Sequence, residues 1–340
     1  MSKPYYPLYI FMLLAVAILL SACHSDTDPE EGATTPRTVI VLFSTGGLGD
    51  RGYNDLILGG LQLANKERND FTMYFRSPQN SDDAEFIFKD WLSRKSTGGK
   101  SLFILASPEY EEMARRVMSE CNPDMENKTI LLFETSGEFP HPKVHTIKLH
   151  MYGGSYLAGV TAAYMGMQRP IVMLGSSADA SVRPAMDGFV DGYKAITGKT
   201  AAVGYFRDDE KGYYMPEEAY SMMSELSADH DFIYPVAGGT NLGIYRYLRE
   251  NPSGPYVAGM DVVQNQLCNN IVGSMIKHLD QSVRDAILNW CDGVKSSANH
   301  LEIGLKLGYT DWILSERFLE YQPYVDKHRA EALEKEENYR

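Results

Sequence analysis

TVIVLFS, residues 38–44, runs almost directly into GGLGDRGYN, residues 46–54. The first stretch is short, apolar and rich in β-branched side chains, without polar alternation, which describes a strand buried on both faces. The glycines of the second allow a tight turn. From residue 53 to 68 the spacing of Leu56, Leu61, Leu63 and Ala64 is helical. Strand, glycine turn, helix is the unit of a parallel α/β sheet. The unit recurs: residues 71–75 and 101–106 (SLFILA) read as strands, 82–94 and 108–121 as helices, 129–134 and 143–149 as strands. The pattern restarts after Gly153 with a helix to residue 165. Strands at 171–175, 200–206, 232–236 and 256–260 follow, separated by helices at 182–196, 217–226 and 243–250. Two successive sets predict two α/β lobes. No 20–50-residue repeat or low-complexity tract interrupts them.

Upstream, Lys3 precedes an unbroken apolar run at residues 10–20, and Leu20-Ser21-Ala22-Cys23 follows. Eleven helical residues rise about 16 Å, short of the ~30 Å hydrocarbon core, so the run reads as a secretion signal rather than a membrane span. The last four residues resemble a bacterial lipobox, which places lipidation on Cys23 and signal cleavage after residue 22. Residues 23–37 are polar, acidic and proline-bearing, a flexible tether. The expectation is an envelope lipoprotein, anchored to a membrane and facing the periplasm or exterior.

Over all 340 residues, 44% are hydrophobic and 23% charged, which excludes a mainly disordered chain. Asp and Glu outnumber Lys and Arg 45 to 32, a net charge of −13 that disfavours nucleic acid as partner. Four cysteines are too few for a disulfide scaffold. Cys268 and Cys291 could pair, or remain buried free thiols.

Signatures of catalysis are absent or fail on spacing. Thr97-Gly98-Gly99-Lys100-Ser101 ends like a phosphate loop, but Arg94 occupies the position of its first glycine and a strand follows. Gly46-Gly47-Leu48-Gly49 lacks the dinucleotide spacing. His141, His145 and His150 lie in an extended segment without a fourth ligand, so no metal is expected. Neither G-x-S-x-G nor H-E-x-x-H occurs. An acid/base hydrolase using Asp208, Asp209 or Asp261 remains a distant reading; no catalytic residue and no cofactor are expected.

In the same order along residues 38–310, GGLGDRGYN (46–54), the 153–159 helix (GGSYLAG), YFRDDEKG (205–212), AGGTNLG (237–243), GMDVVQ (259–264) and SMIK (274–277) resemble the basic membrane protein (Bmp) family of substrate-binding lipoproteins. That family includes purine nucleoside receptors of ABC importers. The resemblance implies a type I periplasmic-binding fold: two Rossmann-like lobes, three crossovers and a ligand cleft between the lobes. Lobe 1 would span 38–150, completed by about 272–300, and lobe 2 would span 151–271, completed by about 301–322. A helical tail, 323–340, would end the chain.

The same resemblance nominates a site. Tyr53, where phenylalanine is usual, and Phe206 match the aromatics that stack on the base; from the residues alone, Phe206 can equally be core and Tyr53 the start of a helix. Asp261 and Lys277 match a pair that contacts the sugar, chemically apt because a carboxylate accepts two hydroxyl hydrogens while an ammonium donates. Without the resemblance they would read as a helix cap and a solvated charge. Asn54 can face a base edge, Asp50 matches an acidic neighbour or caps the turn, and Gly238 and Gly239 let backbone approach the ligand. Two departures stand out: Val262 and Val263 precede Gln264, and the segment after the third strand is Ser107-Pro108-Glu109-Tyr110, where Ser107 and Tyr110 are the candidates for a base contact. The implied role is capture of a nucleoside, with a purine as the expected base, for an ABC permease and its ATPase. The alternative is a ligand-sensing lipoprotein that signals through a membrane partner.

Overall fold

A computed structural model describes residues 36–95, 98–135, 137–294 and 299–339. The signal, Cys23 and nearly all of the tether lie outside the described residues.

The first sheet collects β1 (Arg37–Phe43), β2 (Thr72–Arg76), β3 (Lys100–Ala106), β4 (Lys128–Phe133), β5 (Val144–Leu149) and β11 (His300–Ile303), in the order β11-β5-β4-β3-β1-β2, all parallel. The second collects β6 (Pro170–Ser176), β7 (Ala202–Arg207), β8 (Phe232–Val236), β9 (Tyr256–Asp261), β10 (Ile271–Lys277) and β12 (Thr310–Leu314), in the order β12-β10-β9-β8-β6-β7. It is parallel except for β12, which runs antiparallel to β10. Central strands are buried along most of their length, and β6 and β10 along all of it, which is why their sequences lack polar alternation. In β1 the two-residue period is still visible: Val39, Val41 and Phe43 join one core cluster, Leu42 the cluster on the opposite face.

Helices cover both faces. Lobe 1 carries α1 (Tyr53–Glu67), α2 (Ser81–Ser93) and α3 (Glu111–Cys121); lobe 2 carries α4 (Tyr152–Tyr164), α5 (Arg183–Thr197), α6 (Pro216–Asp229) and α7 (Asn241–Glu250). α8 (Leu279–Asp292) returns to pack on α1, and α9 (Gln322–Asn338) ends the chain against α4. α4 is buried on every side, and glycines make that possible: a Cβ at Gly159 would stand 2.1 Å from the Phe189 carbonyl oxygen, and one at Gly192 2.0 Å from that of Tyr156.

The chain crosses between lobes after β5, between β10 and α8, and between β11 and β12. The expected boundaries therefore shift. β10 was assigned to the return into lobe 1, yet it is hydrogen-bonded to β9 and β12 in the second sheet, and the return begins with α8. The stretch expected to complete lobe 2 from about residue 301 begins slightly later, because β11 (His300–Ile303) pairs with β5 in the first sheet. The crossovers are tied to α9 by Glu336, whose carboxylate accepts from the backbone N–H of Gly153 and of Leu305, each at 2.8 Å. Glu336 lies 3.8 Å from His150, but burial lifts its carboxyl to about 7 and drops the imidazole to about 4, so the two are not charged together and the contact is no ion pair.

Cys268 lies in the core of lobe 2 and Cys291 in the core of lobe 1, both unpaired, so the disulfide does not form.

Candidate functional site

In each sheet the strand order reverses beside its first strand, β1 between β2 and β3, and β6 between β7 and β8. Crevices of open α/β sheets form at the carboxyl ends of strands at such points. Here the two crevices face one another across a single cleft, lined by the turns after β1, β3 and β4 from lobe 1 and by those after β6, β7, β8 and β9 and the end of β10 from lobe 2. Its space, counted out to the open mouth, is about 730 Å³.

The lobes also touch directly. The Tyr214 hydroxyl donates to Ser44 Oγ at 3.3 Å, its ring lies on Gly46, and Asp261 abuts Gly52 closely enough that a Cβ there would be 3.0 Å from Oδ2.

Asp50 and Asn54 hold the lobe 1 wall together. The Asp50 carboxylate accepts from the backbone N–H groups of Gly52, Asn54 and Asp55, capping α1. The Asn54 amide nitrogen donates to Ser44 Oγ and to Asp50 Oδ2, and its oxygen accepts from the Ser44 N–H. Both line the cleft, but the donor hydrogens expected to face a base edge are already engaged within lobe 1. Ser107 lines the cleft as well; Tyr110 does not, because its ring is core and its hydroxyl donates to the Phe43 carbonyl. Glu109 is drawn off too, accepting from the Thr45 N–H at 2.8 Å and its hydroxyl at 3.2 Å.

Charge concentrates around Lys277, at the end of β10. Its ammonium donates to Glu134 Oε1 at 3.1 Å, stands 3.9 Å from Asp261 Oδ1, and lies 5.1 Å from the centre of the Tyr53 ring. Burial alone would lower its proton affinity, but Glu134 and Asp261 outweigh burial, and the net shift is upward. Asp261 is 7% exposed, and among the described residues no hydrogen bond reaches its carboxylate. Burial lifts it to about 6 against the pull of Lys277, helped by the negative charges of Asp50 and Glu134. Its backbone sits at φ 68°, a left-handed conformation uncommon for a side-chain-bearing residue. The Tyr53 hydroxyl is likewise buried without a partner, and burial, with Glu134 and Asp261 nearby, raises its pKa well above the usual phenol.

Phe206 is a correction. It is 8% exposed and packed with Met173, Met223 and Ile233 in the core of lobe 2, away from the cleft. Tyr213 and Tyr214, seven and eight residues on, supply the lobe 2 aromatics instead. Tyr213 is fixed by its hydroxyl donating to Asp179 at 2.6 Å, and Asp179 also accepts from the Ser181 N–H. Gly238, at φ 51°, and Gly239 form a turn against Tyr213 at the floor of the cleft. Sequence reasoning missed Glu134, Asp179, Tyr213 and Tyr214; the Tyr-Tyr pair following YFRDDEKG was the one available signal. Asp208 and Asp209 do not line the cleft, and Asp209 caps a short turn by accepting from the Lys211 N–H. Among the described residues no group of three or more His, Cys, Asp or Glu gathers to hold a metal.

Comparison with known proteins now decides the family. The model of the ABC transporter substrate-binding, PnrA-like family, Bmp, matches residues 37–337. The chain belongs to the Bmp family. It is 22% identical to basic membrane protein A of Borreliella burgdorferi over 339 residues, covering 96% of this chain and 94% of that protein. It is 25% identical to an uncharacterized lipoprotein of Pyrococcus abyssi over 341 residues, covering 94% and 80%. Among solved structures it is similar to a solute-binding protein of an ABC transporter system from Aeropyrum pernix, with a TM-score of 0.68, 19% identity and coverage of 89% and 87%. The fold is the two-lobed α/β architecture of type I periplasmic-binding proteins. A Bmp chain is the substrate-binding component of an ABC transporter system. Among the described residues no helix is long and apolar enough to cross a membrane.

Proposed function

We propose that this Bmp protein captures a nucleoside in the cleft and delivers it to an ABC permease and its ATPase, while anchored to the cell envelope through a lipid on Cys23. One observation carries the reading: a buried carboxylate on lobe 2, Asp261, has no hydrogen bond among the described residues and stands beside a charged lysine that lobe 1 holds through Glu134. An uncharged vicinal diol supplies the two donor hydrogens the carboxylate lacks and accepts from the ammonium. The aromatic rings of Tyr53, Tyr213 and Tyr214 border the same space and suit a flat base, worth roughly 1–3 kcal/mol per stacked face. Binding needs no covalent step; the ligand bridges the lobes and stabilises their approach by contacts it makes only when they are together. The test is calorimetric titration of the domain from residue 36 onward with inosine, guanosine, adenosine, cytidine and ribose. Saturable heat with nucleosides and far weaker binding of ribose is expected; no heat with any nucleoside overturns the reading.

A further inference from the structure

The polar groups of the cleft divide into engaged and free. Engaged within the protein are the Asn54 amide hydrogens, the Asp50 carboxylate, which accepts from four donors, and Glu109, which turns away to Thr45, while the Asp179 carboxylate is held by one donor on each oxygen. These are the side chains that could have read the edge of a base, and after β3 only the small hydroxyl of Ser107 and the ring of Pro108 face the cavity. Free are the Asp261 carboxylate and the Tyr53 hydroxyl, together with the ammonium hydrogens of Lys277 not directed at Glu134. All three belong to one cluster: Lys277 lies over the Tyr53 ring, and Glu134 and Asp261 are the charges that act most strongly on the Tyr53 hydroxyl.

The phenol is a donor without an acceptor, and the carboxylate is an acceptor without a donor. A ligand amine satisfies only the carboxylate, and a ligand carbonyl only the phenol. A ligand hydroxyl accepts from one and donates to the other, so it is the group that satisfies both. A phosphate would bring further negative charge to a site already holding Asp261, Glu134 and Asp50 against a single lysine.

Resting on the nucleoside reading, we propose that the Tyr53 hydroxyl is a specificity group for the sugar, and that this protein selects ribonucleosides over their deoxy counterparts while accepting purine and pyrimidine bases alike. The aromatic rings hold any flat base because every base has a π-face, and among the described residues lining the cleft no carboxamide keeps a free donor hydrogen to discriminate between them.

Calorimetric titration of guanosine, adenosine, cytidine and uridine, each beside its 2′-deoxy and 3′-deoxy forms, tests this on the wild-type domain and on Tyr53→Phe. The four ribonucleosides should bind within about tenfold of one another, and at least one deoxy series about 100-fold more weakly, as expected when a buried hydrogen-bonding site meets a ligand lacking its hydroxyl. Tyr53→Phe should keep the wild-type melting curve and reduce that ratio about tenfold. Equal binding of ribo and both deoxy forms overturns the sugar selectivity, and a purine preference beyond about 100-fold overturns the tolerance of bases. An unchanged ratio in Tyr53→Phe overturns the assignment of that hydroxyl. Each of those results leaves nucleoside binding intact, whereas failure of every nucleoside to bind removes the underlying reading.

Discussion

Replacing Asp261 by asparagine should stabilise the ligand-free protein and disable it. The carboxylate is 7% exposed, without a hydrogen bond, and burial lifts its pKa from 3.8 to about 6 even with Lys277 at 3.9 Å. A native pKa above the unfolded one means the folded state holds the proton more tightly. Stability from this group is therefore full at low pH and lost as pH rises from about 4 through about 6. Roughly two units at 1.36 kcal/mol each give a cost of about 2–3 kcal/mol at pH 7.5, already net of the attraction of Lys277. Asparagine cannot ionise, and it tolerates φ 68° at least as well as aspartate. Urea unfolding at pH 7.5 should thus show Asp261→Asn gaining about 2–3 kcal/mol, a gain that disappears near pH 4 as the wild-type carboxyl takes up its proton. Nucleoside affinity should move the other way, since two charge-assisted hydrogen bonds to the diol are worth about 3–6 kcal/mol, or about 100-fold to 10,000-fold in Kd. A variant no more stable than wild type at pH 7.5, or equally stabilised at both pH values, would refute the account of Asp261 as a desolvated charge held in reserve for a ligand.

Lys277→Met leaves Glu134 and Asp261 buried without their cation and should lower stability by about 3–5 kcal/mol at pH 7.5, less at pH 5 where Asp261 is neutral; pH-independent loss would deny the electrostatic cause. Gly46→Ala places a Cβ 1.7 Å from the Tyr214 ring, which must swing away from Ser44. Nucleoside affinity should fall about 5–100-fold by calorimetry with little change in melting, and adding Tyr214→Ala should recover the part due to the clash. Phe206→Leu should cost about 1 kcal/mol in urea unfolding and leave affinity within about twofold; a tenfold loss of affinity would return Phe206 to the cleft. Cys268 and Cys291 should both react with an alkylating agent in denaturant without reductant, and protection of the pair would mean a disulfide.

Why the fold was readable and part of the site was not follows from range. TVIVLFS and SLFILA become strands because burial on both faces demands unbroken apolar residues, a local property of sequence. Gly159 stands where α4 and α5 approach closely, a contact that no local reading of the 153–159 segment shows. The residue at the end of a strand is harder: Phe206 and Arg207 close β7, and one step along a strand exchanges core for solvent. Phe206 fell on the core face, and the loop beyond it, not the strand, carried Tyr213 and Tyr214 to the cleft. Asn54 and Asp50 line the cleft, but their hydrogen-bond capacity is taken up by Ser44 and the start of α1, which no local pattern shows. Glu134 offered no motif at all; its meaning comes from Lys277, 143 positions away.

If the cleft works as proposed, the same charges would make its closure depend on a ligand of a particular kind. Asp261 arrives from lobe 2 and meets Asp50 and Glu134 of lobe 1, the carboxylates whose charge raises its proton affinity. With the lobes apart, water solvates all three; bringing them together strips that water and leaves one ammonium, on Lys277, among them. Like charges repel more strongly as water is removed from between them, so closure without a ligand works against contacts such as Tyr214 on Ser44. A neutral polyol reverses the balance, because its hydroxyl hydrogens replace the lost water on Asp261 and it adds no charge. An anionic ligand worsens the repulsion and a bare hydrophobe leaves it uncorrected. On the proposed reading, the differential contact free energy that favours closure would be concentrated at one carboxylate, and the acidity of the cleft would couple binding to closure.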